Sequence, residues 1–278
     1  MNMALIELTM RSNALNTNTT VCVCFPEETG ADRMRMFPKQ YRDGVRYQTL
    51  WLLHGGGGDA TNWPRYTSIE RYANEHKLMV ICPSAYLSLY TDMYYGDAYE
   101  TWITKELPQV LQWMLPISTR REDNFVAGLS MGGYGALKWA VNEPERFACA
   151  GSFSGAVDMP AILRRNHLHD GVLDEHFELA FGSLDRVEHT HNDVIWVARQ
   201  QHAAGVELPK FYVTVGTEDF TYAFNTGLRD AFTAEGLDLT WDERPGGHTW
   251  AYWDAAVQRF LNWLPLKNAP VEPVEMEA

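Results

Sequence analysis

The sequence predicts an α/β fold, in which a mostly parallel central sheet carries helices on both of its faces. Short, near-continuous apolar runs such as residues 47–53 and 78–82 are typical of strands buried on both sides. Stretches of helical period, such as residues 100–115, separate these runs, so strands and helices alternate along the chain. With 278 residues, of which 46% are hydrophobic, the chain can bury a sizeable core.

The pentapeptide at 128–132 reads Gly-Leu-Ser-Met-Gly and stands between an apolar run at 124–127 and a helical run at 133–140. This strand–turn–helix context is that of the nucleophile elbow of an α/β-hydrolase. The turn at Ser130 is too sharp for side chains on its neighbours, so the two glycines give the backbone room to reverse. The next helix points its free N–H groups at the reaction centre. We therefore predict Ser130 as a nucleophile; the alternative is a glycine-rich turn with a surface serine.

The N-terminal segments at 3–10 and 19–25 predict an antiparallel hairpin at the edge of the sheet. The second segment is rich in β-branched residues and ends at Pro26, and the turn between the two segments is polar. Residues 27–46 are charged and interrupted by glycine and proline, which is typical of a loop.

A glycine run from Gly55 to Gly58 follows His54 at the end of the first buried strand. In an α/β-hydrolase, a glycine-rich loop at this point supplies half of the oxyanion hole, because backbone N–H groups can approach a substrate oxygen with no Cβ in the way. We expect Gly56 to be the donor, with Gly55 and Gly57 as close alternatives. A flexible turn is the other interpretation, whereas a phosphate loop would need a Gly-Lys-Ser/Thr ending that is missing here.

The next predicted elements are a helix from Pro64 to about residue 74 and a buried strand at 78–82. Residues 84–99 form a long loop rich in tyrosine, whose rings either line an acyl pocket or cover the sheet. The helical pattern at 100–115 contains Pro108, which predicts a kink or a late helix start.

Residues 147–153 are small and apolar, as expected of a central strand. The stretch 157–207 lacks strand character and holds amphipathic pieces at 159–165, 172–181 and 193–203, which predicts a small cap insertion over the active site. The cap carries six of the nine histidines, namely His167, His169, His176, His189, His191 and His202. Their spacing does not match the helical i, i+4 pairs of zinc enzymes, so we interpret them as solvated residues and expect no metal site.

A further buried strand at 211–216 ends in Thr217-Glu218-Asp219. An acid just past the carboxyl end of a strand can reach a histidine at the same edge of the sheet. We choose Asp219 as this acid, with Glu218 as the neighbouring candidate. The other interpretation of Asp219 is an ordinary N-cap for the helix predicted at 220–235.

The alternating pattern at 237–243 predicts the last strand. His248 follows it on a glycine-flexed loop directly before a helix, which is where an α/β-hydrolase places its general base. His248 would accept the proton of Ser130 and return it to the leaving group, and Asp219 would fix the imidazole tautomer. The N–H of Met131 would be the second oxyanion donor.

The composition argues against two classes of binding partner. It carries 23 Lys and Arg residues against 36 Asp and Glu residues, a net charge of −13, which argues against nucleic acid or an anionic membrane as partner. The N-terminus has no basic region and no long apolar region, and no stretch reaches the length of a membrane span, so we expect a cytoplasmic protein without a signal peptide. The four cysteines are expected to be buried free thiols.

Neither an internal repeat nor a linker divides the sequence. We predict a single domain at 1–266, with 157–207 as its cap-like insertion. The segment 267–278 contains proline and several acidic residues, which predicts a disordered C-terminal tail.

Three motifs together point to a known family. They are His-Gly-Gly-Gly-Gly at 54–58, Gly-Leu-Ser-Met-Gly-Gly-Tyr-Gly-Ala at 128–136 and Pro-Gly-Gly-His-Thr-Trp at 245–250. These motifs resemble those of the esterase D-type carboxylesterases, which include S-formylglutathione hydrolases, tributyrin and acetyl esterases, feruloyl esterases and mycolyltransferases. Tyr-Thr-Asp at 90–92 with Tyr-Glu-Thr at 99–101 is most similar to the tributyrin esterase branch, which hydrolyses short-chain acyl esters.

The resemblance implies a serine carboxylesterase of acetyl to butyryl esters, with the backbone amides of Gly56 and Met131 as oxyanion donors. The alternatives are a thioesterase such as an S-formylglutathione hydrolase, a feruloyl-type esterase, an acyltransferase, and a binding protein on a hydrolase scaffold. We expect a small-molecule ester as the substrate and no cofactor. Surface tryptophan and tyrosine residues leave a homo-oligomer open.

Overall fold

The computed structural model describes residues 4–27 and 44–271, so most of the loop predicted at 27–46 lies outside the described residues. Within these ranges eight strands form one central sheet, in the spatial order β1-β2-β4-β3-β5-β6-β9-β10. The strands are β1 (Ala4–Ser12), β2 (Thr17–Phe25), β3 (Thr49–Leu53), β4 (Met79–Pro83), β5 (Asn124–Leu129), β6 (Cys149–Phe153), β9 (Lys210–Gly216) and β10 (Leu239–Arg244). Two further short strands, β7 (Leu168–His169) and β8 (Val172–Leu173), form a separate hairpin.

The sheet is parallel from β4 to β10, whereas β1 and β2 pair antiparallel with their neighbours. The predicted sheet, mostly parallel with an antiparallel N-terminal hairpin at its edge, is therefore confirmed. Both strands of the hairpin extend two residues closer to the turn than predicted, because the cross-strand pairs continue to Ser12 and Thr17.

Helices cover both faces of this sheet. The α-helices are Asn62–Tyr66, Ile69–Glu75, Tyr99–Thr101, Leu107–Met114, Met131–Asn142, Met159–Ile162, Glu175–Phe181, Val194–Ala203, Tyr222–Ala234 and Trp250–Trp263. We call Met131–Asn142 the elbow helix. Wider π turns occupy Trp102–Glu106 and Leu163–His167, and 3₁₀ turns occupy Arg121–Asp123, Pro144–Arg146 and Leu184–Arg186. None of the helices in the described ranges is long and apolar enough to cross a membrane.

Two α-helices stand where the sequence predicts one from Pro64 to about residue 74. Thr67 is extended, with φ of −136° and ψ of 175°. Its hydroxyl donates to the Trp63 carbonyl at 2.7 Å and accepts the Ile69 N–H at 3.1 Å. The threonine side chain takes over hydrogen bonds that would otherwise continue the helix, so the helix breaks there.

The kink predicted from Pro108 takes the form of a π turn. Trp102–Glu106 directly precedes the α-helix Leu107–Met114, in which Pro108 is the second residue. Proline lacks an N–H and its ring clashes with the carbonyl four residues earlier, so a wider turn accommodates it.

The side chains of β3 alternate between two hydrophobic layers, one on each face of the sheet. Trp51 packs in the layer that contains the elbow helix, and Leu52 packs in the layer that contains the C-terminal helix Trp250–Trp263. Because both layers are buried, they fix the carboxyl ends of the parallel strands, where the candidate site lies.

All four cysteines are buried, as predicted. Cys22 of β2 lies opposite Cys82 of β4 in the sheet. Burial raises the pKa of the Cys22 thiol to about 11, so this thiol is protonated at neutral pH.

The predicted cap at 157–207 contains the β7–β8 hairpin in addition to helices. It is tied to the tyrosine-rich loop by two backbone hydrogen bonds. The N–H groups of Tyr94 and Tyr95 donate to the carbonyls of Ala180 and Leu179, both at 2.9 Å. The far part of that loop and the cap therefore form one continuous surface.

The tail predicted as disordered from residue 267 is held to the body of the protein over its first residues. The Lys267 N–H donates to Gln48 Oε1 at 2.7 Å, and its ammonium group lies 2.8 Å from the Asp123 carboxylate. Val271 exchanges two backbone hydrogen bonds with Arg46. The remainder of the tail, from residue 272, lies outside the described residues.

Candidate active site

The serine of the pentapeptide at 128–132 sits on a sharp turn between β5 and the elbow helix. Ser130 has φ of +52° and ψ of −118°, a conformation that residues with a Cβ rarely adopt. Its N–H donates to the Phe153 carbonyl at 2.9 Å, and its carbonyl accepts from Gly133 and Ala156 at 3.0 and 3.1 Å. The surrounding strand and helix thereby hold the strained turn in place.

Glycine is required at positions 128 and 132 because the surrounding backbone leaves no space for a Cβ. A Cβ on Gly132 would lie 2.5 Å from the carbonyl oxygens of Leu53 and His54, and a Cβ on Gly128 would overlap the Gly132 carbonyl. The elbow helix thus approaches the end of β3 as closely as its backbone allows. This close approach places Ser130 beside the glycine run.

Three side chains from separate loops form one hydrogen-bonded chain. Ser130 Oγ lies 3.0 Å from His248 Nε2, and His248 Nδ1 lies 3.0 Å from each carboxylate oxygen of Asp219. The three residues follow β5, β9 and β10, and parallel strands bring their carboxyl-end loops to one edge of the sheet. In this arrangement Nε2 of a neutral imidazole can accept the serine proton while Nδ1–H donates to the carboxylate.

Asp219, and not its neighbour Glu218, contacts His248. Asp219 is buried, and its Oδ1 also accepts the N–H and the hydroxyl of Thr221, both at 2.8 Å. Burial alone would raise the pKa of the Asp219 carboxyl, but the hydrogen bonds from His248 and Thr221 bring it below its usual value. The exposed Glu218 carboxylate instead accepts the N–H of Gly246.

Among the described residues, two aromatic rings contact the His248 imidazole. The Trp253 ring stands perpendicular to it at a centroid distance of 4.8 Å and is buried. The Phe220 ring lies over it at 4.4 Å, tilted by 43°. The imidazole is therefore held between one interior ring and one surface ring, which restricts its orientation.

His54, at the head of the glycine run, is fully buried. Its Nε2 accepts the Ala85 N–H at 2.8 Å, and its Nδ1 lies 2.7 Å from the Gly55 carbonyl. Because an accepting Nε2 carries no proton, the imidazole is neutral and donates from Nδ1. Burial lowers the pKa of His54 to about 4, in agreement with this neutral state. One side chain thus fixes both the start of the glycine run and the loop after β4.

The glycine run lies beside Ser130, since a Cβ on Gly55 would be 3.5 Å from Ser130 Cβ. The Trp63 indole N–H donates to the Leu53 carbonyl at 3.0 Å and holds the end of β3. Gly57 has φ of +71°, a left-handed conformation that favours glycine. Across the described residues no backbone hydrogen bond occupies the N–H of Gly56 or of Met131. These two groups, which the sequence proposes as oxyanion donors, remain available to a substrate oxygen.

The near part of the tyrosine-rich loop at 84–99 supports the glycine run. Tyr90 is buried, and its hydroxyl donates to the His54 carbonyl at 2.9 Å. Leu87 is half exposed and lies against Gly56, since a Cβ on that glycine would be 3.3 Å from Leu87 Cδ1. The sequence leaves open whether the tyrosines line a pocket or cover the sheet. In the structure Tyr90 supports the glycine run, and Leu87 is a side chain of this loop that lies against Gly56.

Most of the cap histidines are exposed or make contacts within the cap, whereas His191 Nε2 lies 3.3 Å from the carboxylate of Glu100 outside it. His167 Nδ1 lies 2.8 Å from the Asp174 carboxylate, and His169, His189 and His202 are exposed. Within the described part of the chain, no group of three or more His, Cys, Asp or Glu side chains is arranged to hold a metal ion.

Sequence reasoning did not identify three side chains that shape the site: His54, Phe220 and Leu87. The first two had a signal, because His54 directly precedes the glycine run and Phe220 directly follows Asp219. Leu87 had none, since its contact with Gly56 depends on how the whole loop at 84–99 folds.

Comparison with known proteins places this geometry in context. The Esterase family model matches residues 12–264 of the chain. An acetyl esterase from Caldicellulosiruptor saccharolyticus is 26% identical over 269 residues, which cover 94% of this chain and 98% of the relative.

Two solved Staphylococcus aureus structures, each 33% identical in sequence, match nearly the whole chain. The fluorophosphonate-binding serine hydrolase FphF, with substrate bound, gives a TM-score of 0.83 and covers 94% of this chain and 98% of its own. The S-formylglutathione hydrolase FrmB gives a TM-score of 0.81 and covers 95% and 99%. A ferulic acid esterase with 21% identity and a TM-score of 0.72 shares the fold. These likenesses confirm the predicted α/β-hydrolase fold.

Proposed function

The chain belongs to the Esterase family and is a carboxylic ester hydrolase, and we propose that it hydrolyses short-chain acyl esters, acetyl to butyryl, through an acyl-enzyme on Ser130. The hydrogen-bonded chain of Ser130, His248 and Asp219 carries this proposal. The preference for short acyl groups is supported by the acetyl esterase of Caldicellulosiruptor saccharolyticus, which matches this chain over nearly its full length.

Acylation begins when His248 Nε2 takes the proton of the Ser130 hydroxyl and Oγ attacks the ester carbonyl carbon. The carbonyl oxygen becomes an oxyanion, which accepts hydrogen bonds from the N–H groups of Gly56 and Met131. The carbon–oxygen bond to the alcohol then breaks, and His248 Nε2–H donates its proton to the departing oxygen. The acyl group remains on Oγ as an ester.

Deacylation repeats these steps with water as the nucleophile. His248 accepts a proton from water, whose oxygen attacks the acyl carbon, and the same two N–H groups hold the second oxyanion. The bond to Ser130 Oγ breaks, the serine recovers its proton from His248, and the carboxylic acid leaves. Asp219 is ionised throughout, because its pKa lies below the usual value, and it stabilises the imidazolium in both steps.

Thioester hydrolysis is the second candidate function. It is favoured by the likeness to the Staphylococcus aureus S-formylglutathione hydrolase, at 33% identity over nearly the whole chain. The same hydrogen-bonded chain can acylate on a thioester, with a thiol as the leaving group. The ferulic acid esterase shares only 21% identity and so supports the fold but not an aromatic acyl group.

Initial rates on a p-nitrophenyl ester series from acetate to decanoate, measured beside S-formylglutathione, test the proposal. The expected result is highest kcat/KM for the two- to four-carbon esters and no turnover by Ser130→Ala with an unchanged circular dichroism spectrum. Faster turnover of S-formylglutathione than of any ester would favour the thioesterase. Activity that survives in Ser130→Ala would exclude the acyl-enzyme on this serine.

A further inference from the structure

We infer that Phe220 forms the alcohol-side subsite of this active site and that the subsite binds alcohols presenting a ring face. The inference rests on the proposed function, because it takes His248 as the group that protonates the leaving alcohol. It specifies the class of alcohol in the ester substrate, which the preference for short acyl groups does not define.

Phe220 has an unusual position for an exposed aromatic side chain. It follows Asp219 directly, and its ring lies 4.4 Å from the His248 ring while 73% of the residue remains exposed. A single exposed phenylalanine elsewhere on a surface would need no explanation. This one covers the proposed general base and still presents most of its apolar surface to the outside.

The backbone around Phe220 is fixed on both sides. The Asp219 N–H donates to the Gly216 carbonyl at 3.1 Å, and the Tyr222 N–H donates to the Asp219 carbonyl at 3.0 Å. The Asp219 carboxylate also holds the Thr221 N–H at 2.8 Å. A ring carried by such a turn is in place before a ligand arrives, so binding orders little additional structure.

The chemistry decides which part of the substrate meets this ring. The leaving oxygen takes its proton from His248 Nε2 and must come within hydrogen-bond reach of that atom. In the proposed mechanism the acyl oxygen accepts instead from the N–H groups of Gly56 and Met131, so it is the leaving oxygen that meets His248. The alcohol substituent therefore leaves the reaction centre on the histidine side. Of the two rings that contact His248 within residues 4–27 and 44–271, Phe220 is exposed and Trp253 is buried.

A phenyl face favours ligands that place another ring over or beside it, either an aromatic ring or the C–H face of a sugar ring. Small aliphatic alcohols offer too little surface to gain from this contact. We therefore expect ring-bearing alcohols to react with the acyl-enzyme about 3- to 10-fold more readily than methanol, which is the range for one aromatic contact.

Partitioning of the acyl-enzyme tests the inference without interference from the acylation step. The full chain is acetylated by p-nitrophenyl acetate in the presence of methanol, benzyl alcohol or methyl β-D-glucopyranoside, and the transferred acetyl group is compared with free acetate. The wild type should favour the ring-bearing alcohols, Phe220→Ala should lose that preference, and Phe220→Leu should retain part of it. Tyr66→Ala is the matched control, because Tyr66 is another exposed aromatic residue, whose ring lies tilted against Trp250 at a centroid distance of 4.9 Å.

The outcomes separate the possibilities. Preference for benzyl alcohol alone identifies an aromatic alcohol, and preference for the glucoside alone identifies a carbohydrate. Equal transfer to all three alcohols in the wild type, or an unchanged ratio in both Phe220 variants, overturns the subsite while the proposed function stands. No p-nitrophenol release, together with no fluorophosphonate labelling of Ser130, overturns the proposed function and the subsite with it.

Discussion

Asp219 and Glu218 carry the same charge and are neighbours in the chain, yet only Asp219 faces the imidazole of His248. The turn after β9, in which the Asp219 N–H donates to the Gly216 carbonyl at 3.1 Å, directs the two carboxylates to different partners. The Glu218 carboxylate accepts hydrogen bonds from Gly246 and Thr217 and holds the loop that carries His248. Asp219 thus contacts the imidazole of His248, and Glu218 contacts the loop that carries His248.

Asp219→Asn should lower kcat on p-nitrophenyl acetate by roughly 10⁴, because an amide stabilises the wrong imidazole tautomer and no imidazolium. Glu218→Gln is the matched control and should retain most of the activity, since an amide oxygen can still accept the Gly246 N–H. Steady-state kinetics on both variants decide the assignment. A comparable loss in Glu218→Gln would transfer the role of acid to Glu218.

The titration of His54 makes the free energy of unfolding depend on pH. Its pKa in the folded protein is about 4, against an ordinary value of 6.5. Between these two values the unfolded chain binds a proton that the folded protein excludes, so stability is lost as pH falls through this window. The expected contribution of His54 is a loss of about 2 kcal/mol between pH 7 and pH 5.

Urea unfolding of the wild type and His54→Gln at pH 7 and pH 5 measures this contribution. The variant should be less stable at pH 7, because it perturbs buried hydrogen bonds, but it should lose less stability on acidification since it cannot titrate. Equal losses in the two proteins would show that His54 does not exclude a proton in the folded state.

At the scale of elements, the buried Lys138 of the elbow helix joins that helix to the loop at 84–99 and to the short helix Tyr99–Thr101. The Lys138 ammonium donates to the Tyr90 carbonyl at 3.2 Å and lies 2.8 Å from the Glu100 carboxylate. Burial alone would raise the pKa of Glu100, but Lys138 and His191 together bring it to about 2. Tyr90 itself has φ of +51°, a conformation that the neighbouring elements must enforce. The helix that carries Ser130 therefore also holds the support of the glycine run.

Tyr90→Phe should lower kcat about 10-fold with little change in KM, because the His54 carbonyl loses its hydrogen bond and the glycine run is held less firmly for the oxyanion. Tyr95→Phe is the control, as Tyr95 is exposed and belongs to the part of the loop bound to the cap. An effect confined to KM, or equal in both variants, would contradict a role in positioning the glycine run.

For the whole molecule, the sequence predicts best those features whose residue types are dictated by the geometry of one short stretch of backbone. The glycines around Ser130 must leave space for a strained turn, so the elbow can be recognised without the fold. Contacts between distant loops could not be recognised: the ring of Phe220 meets His248, and the hydroxyl of Tyr90 meets His54, only after several strands have assembled. The helix break at Thr67 was missed because a threonine hydroxyl can also be accommodated within a continuous helix.

The first residues of the predicted tail belong to the folded molecule. Asp123 is fully buried, and Lys267 is one of its cationic partners. A chain ending at Leu266 should therefore be less stable than one ending at Val271 by about 1–3 kcal/mol, because removing Lys267 leaves a buried carboxylate with fewer partners. Thermal unfolding of both truncations beside the full chain measures the difference, and equal melting temperatures would show that these contacts contribute nothing.

The order of the site residues along the chain has a consequence for synthesis. Ser130 and His248 are 118 residues apart, and the helix that packs beside His248 is the last element of the sheet's second layer. A growing chain folds from its N-terminus, so a ribosome-bound fragment exposes the serine well before its base exists. A serine hydroxyl without a base is a poor nucleophile. The nascent chain therefore lacks an activated serine until the segment that carries His248 has emerged and folded, and turnover reports that this segment is in place.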